Sequence, residues 1–164
     1  MFKFSFRIAH KGCHETAFSK KFPKYHITVA DIQSTTHRVK QYFYYITGNE
    51  KEFDNITKHL KKDSAYKKVE EIEKTNDTLL LLVILDQKSY IQNIIQDNNG
   101  FFLDTHTVYG GYEYWHIGVA KRENIEPMRK EISKMGDLEV LYIGKIEFAE
   151  NLLSKQQRKI FKYA

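Results

Sequence analysis

The run Leu79-Leu80-Leu81-Leu82-Val83-Ile84-Leu85 is apolar at every position. It is the longest apolar run in the chain, and it falls well short of the roughly 20 residues that a membrane helix needs. A short, uninterrupted apolar run is typical of a strand in the interior of a sheet that is covered on both faces. We therefore expect a β-rich core around this strand and no membrane partner.

The segments that follow this strand alternate between helical and extended patterns. They predict a helix over 89–96, strands over 101–108 and 112–119, a helix over 122–134 and a last strand over 138–146. Gly110-Gly111 predicts a tight hairpin turn between two of these strands. Gly136 stands where a glycine would cap the C-terminus of the preceding helix.

The first half of the chain has the same order of elements. Strands are predicted over 2–8, 24–32, 39–47 and 66–72, with a short helix inside 13–22 and a longer one over 50–62. Each half thus reads strand, helix, strand, strand, helix, strand, which is the ferredoxin-like βαββαβ order. We predict an α+β fold of two tandem ferredoxin-like units with antiparallel sheets, over residues 1–76 and 77–150.

Positive charge is concentrated at the end of the chain. The net charge is +5, and residues 152–164 contain four basic side chains and no acidic one. The remaining residues hold the other 22 basic and all 21 acidic side chains, so the body is near neutral. Because phosphate binding needs local positive charge, we expect any nucleic-acid contact to involve the tail. A single cysteine excludes an internal disulfide, and with no signal peptide a cytoplasmic location is expected.

The tail also contains the start of a new helix. Ser154 and Gln157 have the spacing of a capping box, in which each side chain satisfies a backbone amide of the first turn. Leu153, Ile160 and Phe161 then follow with helical periodicity. We therefore predict that residues 151–164 are the first helix of a further domain.

Two stretches resemble one known family. Leu153 to Ala164 resembles the opening of the helix-turn-helix domain in the bacterio-opsin activator family of archaeal regulators, where a leucine, a serine or threonine and a glutamine open the first helix. The N-terminal stretch is similar to that of shorter members, in which a strand ends in a histidine, a glycine and a cysteine, here His10, Gly12 and Cys13. The same stretch ends with Phe22-Pro23, which is also similar to those members.

This resemblance implies a regulatory role. It implies that the chain is the effector-sensing and dimerising region of a DNA-binding transcription regulator, with the DNA-reading helix beyond residue 164. A homodimer is expected because two half-sites on DNA need two DNA-binding domains at a fixed separation. The DNA-proximal residues would be the four basic side chains of the tail, Lys155, Arg158, Lys159 and Lys162.

The loop after the first strand is the candidate effector contact. It brings together imidazole, thiol and carboxylate groups beside a glycine, at His10, Gly12, Cys13, His14 and Glu15. The alternative is a plain turn in which the cysteine is a small core residue. A metal held by His10, Cys13 and His14 is a further alternative, but the loop offers no second cysteine as a fourth ligand. We expect no cofactor.

Other functions fit the sequence less well. A stand-alone small-ligand or RNA-binding module of the same fold is the main alternative, because RNA-recognition domains stack bases on sheet aromatics such as those of 112–115. There, however, Glu113 would repel phosphate. Catalysis lacks a spaced nucleophile and base, so we expect no enzyme.

Overall fold

A computed structural model describes residues 1–34, 39–86 and 90–146. Within these ranges it contains nine strands and four α-helices. The strands are β1 (Phe2–His10), β2 (His26–Ser34), β3 (Val39–Thr47), β4 (Tyr66–Lys74), β5 (Thr78–Asp86), β6 (Gly100–Phe102), β7 (Thr107–Tyr109), β8 (Tyr112–Val119) and β9 (Gly136–Lys145). The helices are α1 (His14–Lys21), α2 (Glu50–Lys62), α3 (Ile91–Asp97) and α4 (Ile125–Ile132).

The segments with the strongest periodicity have the bounds that the sequence predicts. The strand over 39–47, the helix over 50–62 and the strand over 112–119 are all confirmed. The hairpin turn is also confirmed, since Gly110 and Gly111 have φ of 59° and 85° and Tyr109 pairs with Tyr112. Both central residues of such a turn need positive φ, which glycine adopts without strain.

Two local predictions were wrong. The strand over 101–108 is broken into β6 and β7, because four residues lie between Phe102 and Thr107 opposite only two on β8. Gly136 does not cap a helix but begins β9. A Cβ at Gly136 would lie 2.2 Å from the carbonyl oxygen of Ala9, so the glycine is required by the close approach of β9 to β1.

All nine strands belong to one antiparallel sheet with the order β4-β5-β3-β2-β7-β8-β1-β9, and β6 also pairs with β8. Ser5 is buried on one face of the sheet, but most buried strand side chains, among them Phe4, Tyr44 and Trp115, project from the other. On that face they pack with the buried side chains of the helices, such as Phe53 of α2 and Met128 of α4. The molecule therefore has two layers, with the helices on one side of the sheet.

The apolar run occupies β5, an interior strand next to an edge strand, and the described helices cover only one of its faces, whereas the sequence predicts cover on both. β5 lies between β4 and β3, and Leu79, Leu81, Val83 and Leu85 are fully buried under the helices. The alternate positions 80, 82 and 84 are only half-buried, because the described helices cover one face alone. Leucines on the second face suit a partly covered sheet surface.

The sheet has two halves with separate cores. One core lies over β2, β3 and β5, and the other lies over β1 and β8. The halves meet where β2 pairs briefly with β7, at Ile27 with Val108 and Thr28 with Thr107. This short ladder is the seam of the sheet, and the candidate site described below lies beside it.

The α+β class and the antiparallel pairing are confirmed, but the tandem arrangement of two units is not. β1 pairs with β8 and β9 rather than with strands of its own half of the chain. β5 likewise pairs with β3 and β4, which precede it. Each predicted unit has therefore given its first strand to the other.

The predicted helix over 151–164 lies outside the described residues. None of the described helices is long and apolar enough to cross a bilayer.

Candidate functional site

The predicted effector loop is a tight connection between β1 and α1. Gly12 has φ of +72°, which lets the chain reverse directly after His10. Cys13 precedes the first residue of α1, and its amide donates to the carbonyl of His10. The Thr16 hydroxyl lies 3.2 Å and 3.0 Å from the carbonyl oxygens of His10 and Cys13. These contacts fix the direction in which the side chains of the loop point.

Three of the five predicted loop residues come together and two do not. His10, Cys13 and Glu15 point into the protein, with only 8%, 3% and 4% of their surface exposed. Gly12 is exposed and only shapes the turn. His14 points away and places its Nδ1 atom 2.6 Å from Oδ2 of Asp63, on the other side of the helix start.

Glu113 of β8 completes the group. Its Oε1 atom lies 3.2 Å from Nδ1 of His10 and 2.9 Å from Sγ of Cys13. The same Sγ atom lies 2.9 Å from Oε2 of Glu15. Tyr44 of β3 donates its hydroxyl to Oε1 of Glu15 at 2.7 Å. We call His10, Cys13, Glu15 and Glu113 the buried cluster.

An aromatic wall closes the cluster on one side. Trp115 lies two residues after Glu113 on the same face of β8, and its indole N–H donates to Oε2 of Glu113 at 3.0 Å. The ring of His106 stacks on Trp115 with 3.9 Å between centroids. The break between β6 and β7 is where His106 enters the core. Its burial lowers the pKa of His106 to about 4, so the ring is neutral near pH 7.

Burial and mutual charge set the protonation of the cluster. Burial raises the pKa of the Cys13 thiol, and the nearby carboxylates raise it further. Burial also raises the pKa of Glu15, with the charge of Glu113 acting in the same direction. Burial opposes the charged form of both His10 and Glu113, but their hydrogen bond and attraction prevail. As a result, the pKa of Glu113 is lowered and that of His10 is raised.

The short contacts at Cys13 require more than one proton. A thiol has one hydrogen and can donate to only one of the two carboxylate oxygens that lie 2.9 Å away. The other contact needs a proton on Glu15, which agrees with its raised pKa, or a cation between the groups. The cluster thus concentrates negative charge that protons or a bound cation must compensate.

Three atoms of the cluster have the chemistry and spacing of metal ligands. Nδ1 of His10, Sγ of Cys13 and a carboxylate oxygen of Glu113 all lie within 4.8 Å of one another. The alternative considered from the sequence was a metal held by His10, Cys13 and His14, but His14 points away and Glu113 takes its place.

A surface cavity leads to the cluster. It has a volume of about 380 Å³, and both His10 and Cys13 line it together with Lys11, Lys20 and Asp137. A small molecule in this cavity would lie beside His10 and Cys13, two residues of the buried cluster. Clefts of roughly 300 to 1,000 Å³ with a few convergent polar groups are typical of small-molecule sites.

Sequence reasoning missed Glu113, Tyr44 and Trp115 as parts of the site. One signal was available, because Glu113 alternates in phase with Trp115, Ile117 and Val119, all of which are buried. A carboxylate on the apolar face of a strand must have a buried partner. From the sequence, Glu113 was considered only as a charge that would repel phosphate at an exposed face of the sheet, whereas its side chain is buried.

Fold and site together define an α+β domain with an enclosed polar cluster beside the seam of its sheet. The family described as HVO_2525_N, N-terminal, matches residues 3–138, which is most of the chain. The chain therefore belongs to this family, and the matched region includes every residue of the cluster. A comparison with curated proteins found no match. The predicted DNA-proximal residues Lys155, Arg158, Lys159 and Lys162 lie outside the described part of the chain.

The neutral, buried His106 should make stability depend on pH. Its pKa is about 4 when folded against an ordinary 6.5, so the unfolded chain gains a proton first as pH falls. Stability from this residue is full above pH 6.5 and is lost between pH 6.5 and 4, by about 3 kcal/mol. In urea unfolding, His106→Phe, which keeps the aromatic stack, should lose less stability than wild type over that range. Parallel losses in the two proteins would contradict the assignment.

Proposed function

We propose that this domain is the effector-sensing and dimerising region of a helix-turn-helix transcription regulator similar to the bacterio-opsin activator family. The buried cluster is its sensing site. The observation that carries the proposal is that His10 and Cys13 belong both to the cluster and to the wall of the cavity. An effector that enters from solvent thus reaches a polar cluster whose hydrogen bonds join β1, α1, β3 and β8.

The state of the cluster favours binding over catalysis. A nucleophilic cysteine needs a lowered pKa and an adjacent base. Here the pKa of Cys13 is raised and its neighbours are carboxylates, so the thiol is a poor nucleophile. The imidazole near Cys13 is that of His10, and its Nδ1 atom is hydrogen-bonded to Glu113 rather than to the thiol.

The cluster is also placed where a ligand could affect the whole domain. His10 and Glu113 belong to the half of the sheet that contains β1 and β8, whereas Tyr44 belongs to the other half. Glu15 of α1 bridges the halves by contacting both Cys13 and Tyr44. A change of charge in the cluster would therefore alter how α1 is held against the seam. Such a coupling is what a sensor needs to pass a signal onward.

We further infer that the two halves of the sheet are ferredoxin-like units that have exchanged their first strands. In a ferredoxin-like sheet the first strand lies between the third and the fourth. One half has the order β4-β5-β3-β2, in which β5 stands in the first-strand position, and the other has β9-β1-β8-β7, in which β1 stands there. The exchange supports a single sensing body rather than two independent modules.

RNA binding remains the second candidate, and the ring geometry argues against it. The helix-free face of the sheet does carry aromatic side chains, including Tyr109 and Tyr114. These rings stack on each other with 4.5 Å between centroids, and His26 stacks on Tyr109 at 4.7 Å. Because the rings occupy one another's faces, less aromatic surface is free for stacking on bases.

The link to DNA rests on the tail and on the family description. That description labels the matched region as N-terminal, which suits a sensor that precedes another domain. The four basic residues at 155–162 begin the stretch that resembles a helix-turn-helix opening. We propose that sequence-specific DNA contact belongs to residues after this stretch and that the tail adds non-specific attraction to phosphate.

Ligand binding at the cluster should appear as thermal stabilisation that depends on cluster residues. We expect at least one member of a panel of Zn²⁺, Fe²⁺, amino acids and nucleotides to raise the Tm of the wild-type chain by about 5 °C or more at 100-fold its Kd. Cys13→Ser and His10→Gln should abolish the shift. The matched control His14→Gln should retain it, because His14 faces Asp63 instead of the cluster. If no ligand shifts the wild-type Tm, the sensing proposal fails.

Binding of the chain to DNA should be weak and should depend on the tail. We expect a Kd for random duplex DNA in the range of about 10⁻⁴ to 10⁻⁶ M near physiological salt. Replacing Lys155, Arg158, Lys159 and Lys162 by glutamine should weaken binding and flatten the plot of log K against log salt by a slope of about 3 to 4. Glutamine at four lysines of α2, at 51, 58, 61 and 62, is the charge-matched control and should change little. Equal loss in both variants would contradict a role for the tail.

A further inference from the structure

We propose that His10, Cys13 and Glu113 bind a divalent transition-metal ion of the zinc class. This inference names the class of effector for the site proposed above and rests on that proposal. An imidazole nitrogen, a thiol sulfur and a carboxylate oxygen converge within 4.8 Å of one another. Thiolate selects against Mg²⁺ and Ca²⁺, whereas mixed nitrogen, sulfur and oxygen ligands suit zinc and its neighbours.

Charge balance favours a divalent ion at this position. A neutral His10, a Cys13 thiolate and a Glu113 carboxylate together carry two negative charges, which a divalent cation cancels. The resulting neutral unit can remain buried at much lower cost than separate charges. Binding would release the thiol proton of Cys13, and His10 would bind the ion as a neutral imidazole.

The surroundings are arranged to orient these ligands. Trp115 donates to Oε2 of Glu113, which leaves Oε1, the atom nearest to Cys13 and His10, for the metal. Tyr44 donates to Oε1 of Glu15, so a protonated Oε2 of Glu15 can donate to the sulfur of Cys13. Hydrogen bonds of this kind fix the ligands of a metal and tune its affinity.

A fourth ligand has room to enter from solvent. Zinc sites with three protein ligands leave one position for water or another molecule. His10 and Cys13 line the cavity, so the open position would face it. The metal alone, or the metal with a small anion in the cavity, would then be the signal that the domain detects.

The only tryptophan of the chain reports on this site. Titration of the reduced protein with Zn²⁺ should change the fluorescence of Trp115 to an end point of one ion per chain, because the ion binds the carboxylate that the indole contacts. Co²⁺ in place of Zn²⁺ should add an absorption band from thiolate to metal in the near ultraviolet. Equilibrium dialysis gives the stoichiometry independently of both spectra.

Variants separate the proposed ligands from their neighbours. Cys13→Ser should remove the thiolate band, and Glu113→Gln should weaken Zn²⁺ binding by more than about 100-fold, since outer groups alone account for roughly 10- to 100-fold. Glu113→Asp keeps the charge, and it should retain measurable binding if Glu113→Gln fails to fold. His14→Gln should bind as wild type does.

The outcomes distinguish this inference from the broader proposal. Absence of both spectral changes, with less than one ion per chain by dialysis, would overturn the metal site. If an amino acid or nucleotide still raised the Tm through Cys13, the sensing proposal would stand without it. Loss of binding in His14→Gln equal to that in His10→Gln would place the ion in a surface site and would also overturn the inference.

The outer edge of β9 carries a second, independent inference. Among the described strands β9 pairs only with β1, and no described strand covers its other edge. Val140, Leu141, Tyr142 and Ile143 at its centre are 39% to 46% exposed. The opposite edge, β4, is instead rich in charge, with lysine or glutamate at positions 67, 68, 70, 71, 73 and 74. Charged edges prevent strand addition, and an apolar edge invites it.

We infer that β9 pairs antiparallel with β9 of a second copy of this chain, about a two-fold axis at Leu141. In this register Asp137 of one copy stands opposite Lys145 of the other, at both ends of the ladder. Glu139 is already paired with Arg7 of its own chain at 2.6 Å. The two remaining charges of β9 are therefore opposite in sign and equally distant from the axis, which makes the strand complementary to itself.

Charge exchange tests this pairing. Sedimentation of the chain should show a dimer at micromolar concentration, and Leu141→Lys should shift it to monomer. Asp137→Lys alone should weaken the dimer at least tenfold, because like charges then meet at both ends. The double variant Asp137→Lys with Lys145→Asp should restore it. A monomeric wild type, or a dimer that none of these changes affects, would overturn the inference.

Discussion

Strand β1 is hydrogen-bonded to β8 on one side and to β9 on the other, so the first residues of the chain form the centre of its C-terminal half. The candidate site depends on this pairing. It sets Ile8 opposite Glu113, so that the strand delivers His10 and the following loop to a carboxylate about 100 residues away in sequence. Without β1 in this place, Glu113 would lose its contacts with His10 and Cys13. The pairing of β1 with β8 and β9 thus creates the site.

Burying the carboxylates of the cluster costs folding free energy, and this cost bears on why the cluster is there. Burying an unpaired carboxylate destabilises the folded state by several kcal/mol, and two carboxylates near one thiol cost more because they also repel each other. Hydrogen bonds from Trp115 and Tyr44 and the charge of His10 offset part of this cost. An apolar set of similar volume would serve stability equally well or better. Such polar groups are what the proposed sensing site requires, and their contacts to both halves of the sheet would connect a bound ligand to the rest of the domain.

The bounds of helices and strands that depend on local periodicity were predicted correctly, whereas the pairing of strands distant in sequence was not. The bounds of β3, α2 and β8 follow from their own periodicity, and no distant partner is needed to find them. The partners of β1 cannot be read in this way, because its alternation of phenylalanine with polar residues suits any half-buried position in a sheet. The site shows the same limit: the loop from His10 to Glu15 was recognisable, but the start of a helix turns His14 outward. Glu113 was misplaced because its strand has large side chains on both faces, so the buried face was ambiguous.

The central claim is that the loop after β1 and Glu113 form one ligand site. X-ray diffraction from crystals of the reduced protein grown with Zn²⁺, measured on both sides of the zinc absorption edge, tests it most directly. The account predicts an anomalous peak about 2.0 to 2.3 Å from Nδ1 of His10, Sγ of Cys13 and a carboxylate oxygen of Glu113. Anomalous peaks confined to surface histidines such as His14 and His26, with an unchanged cluster, would contradict it.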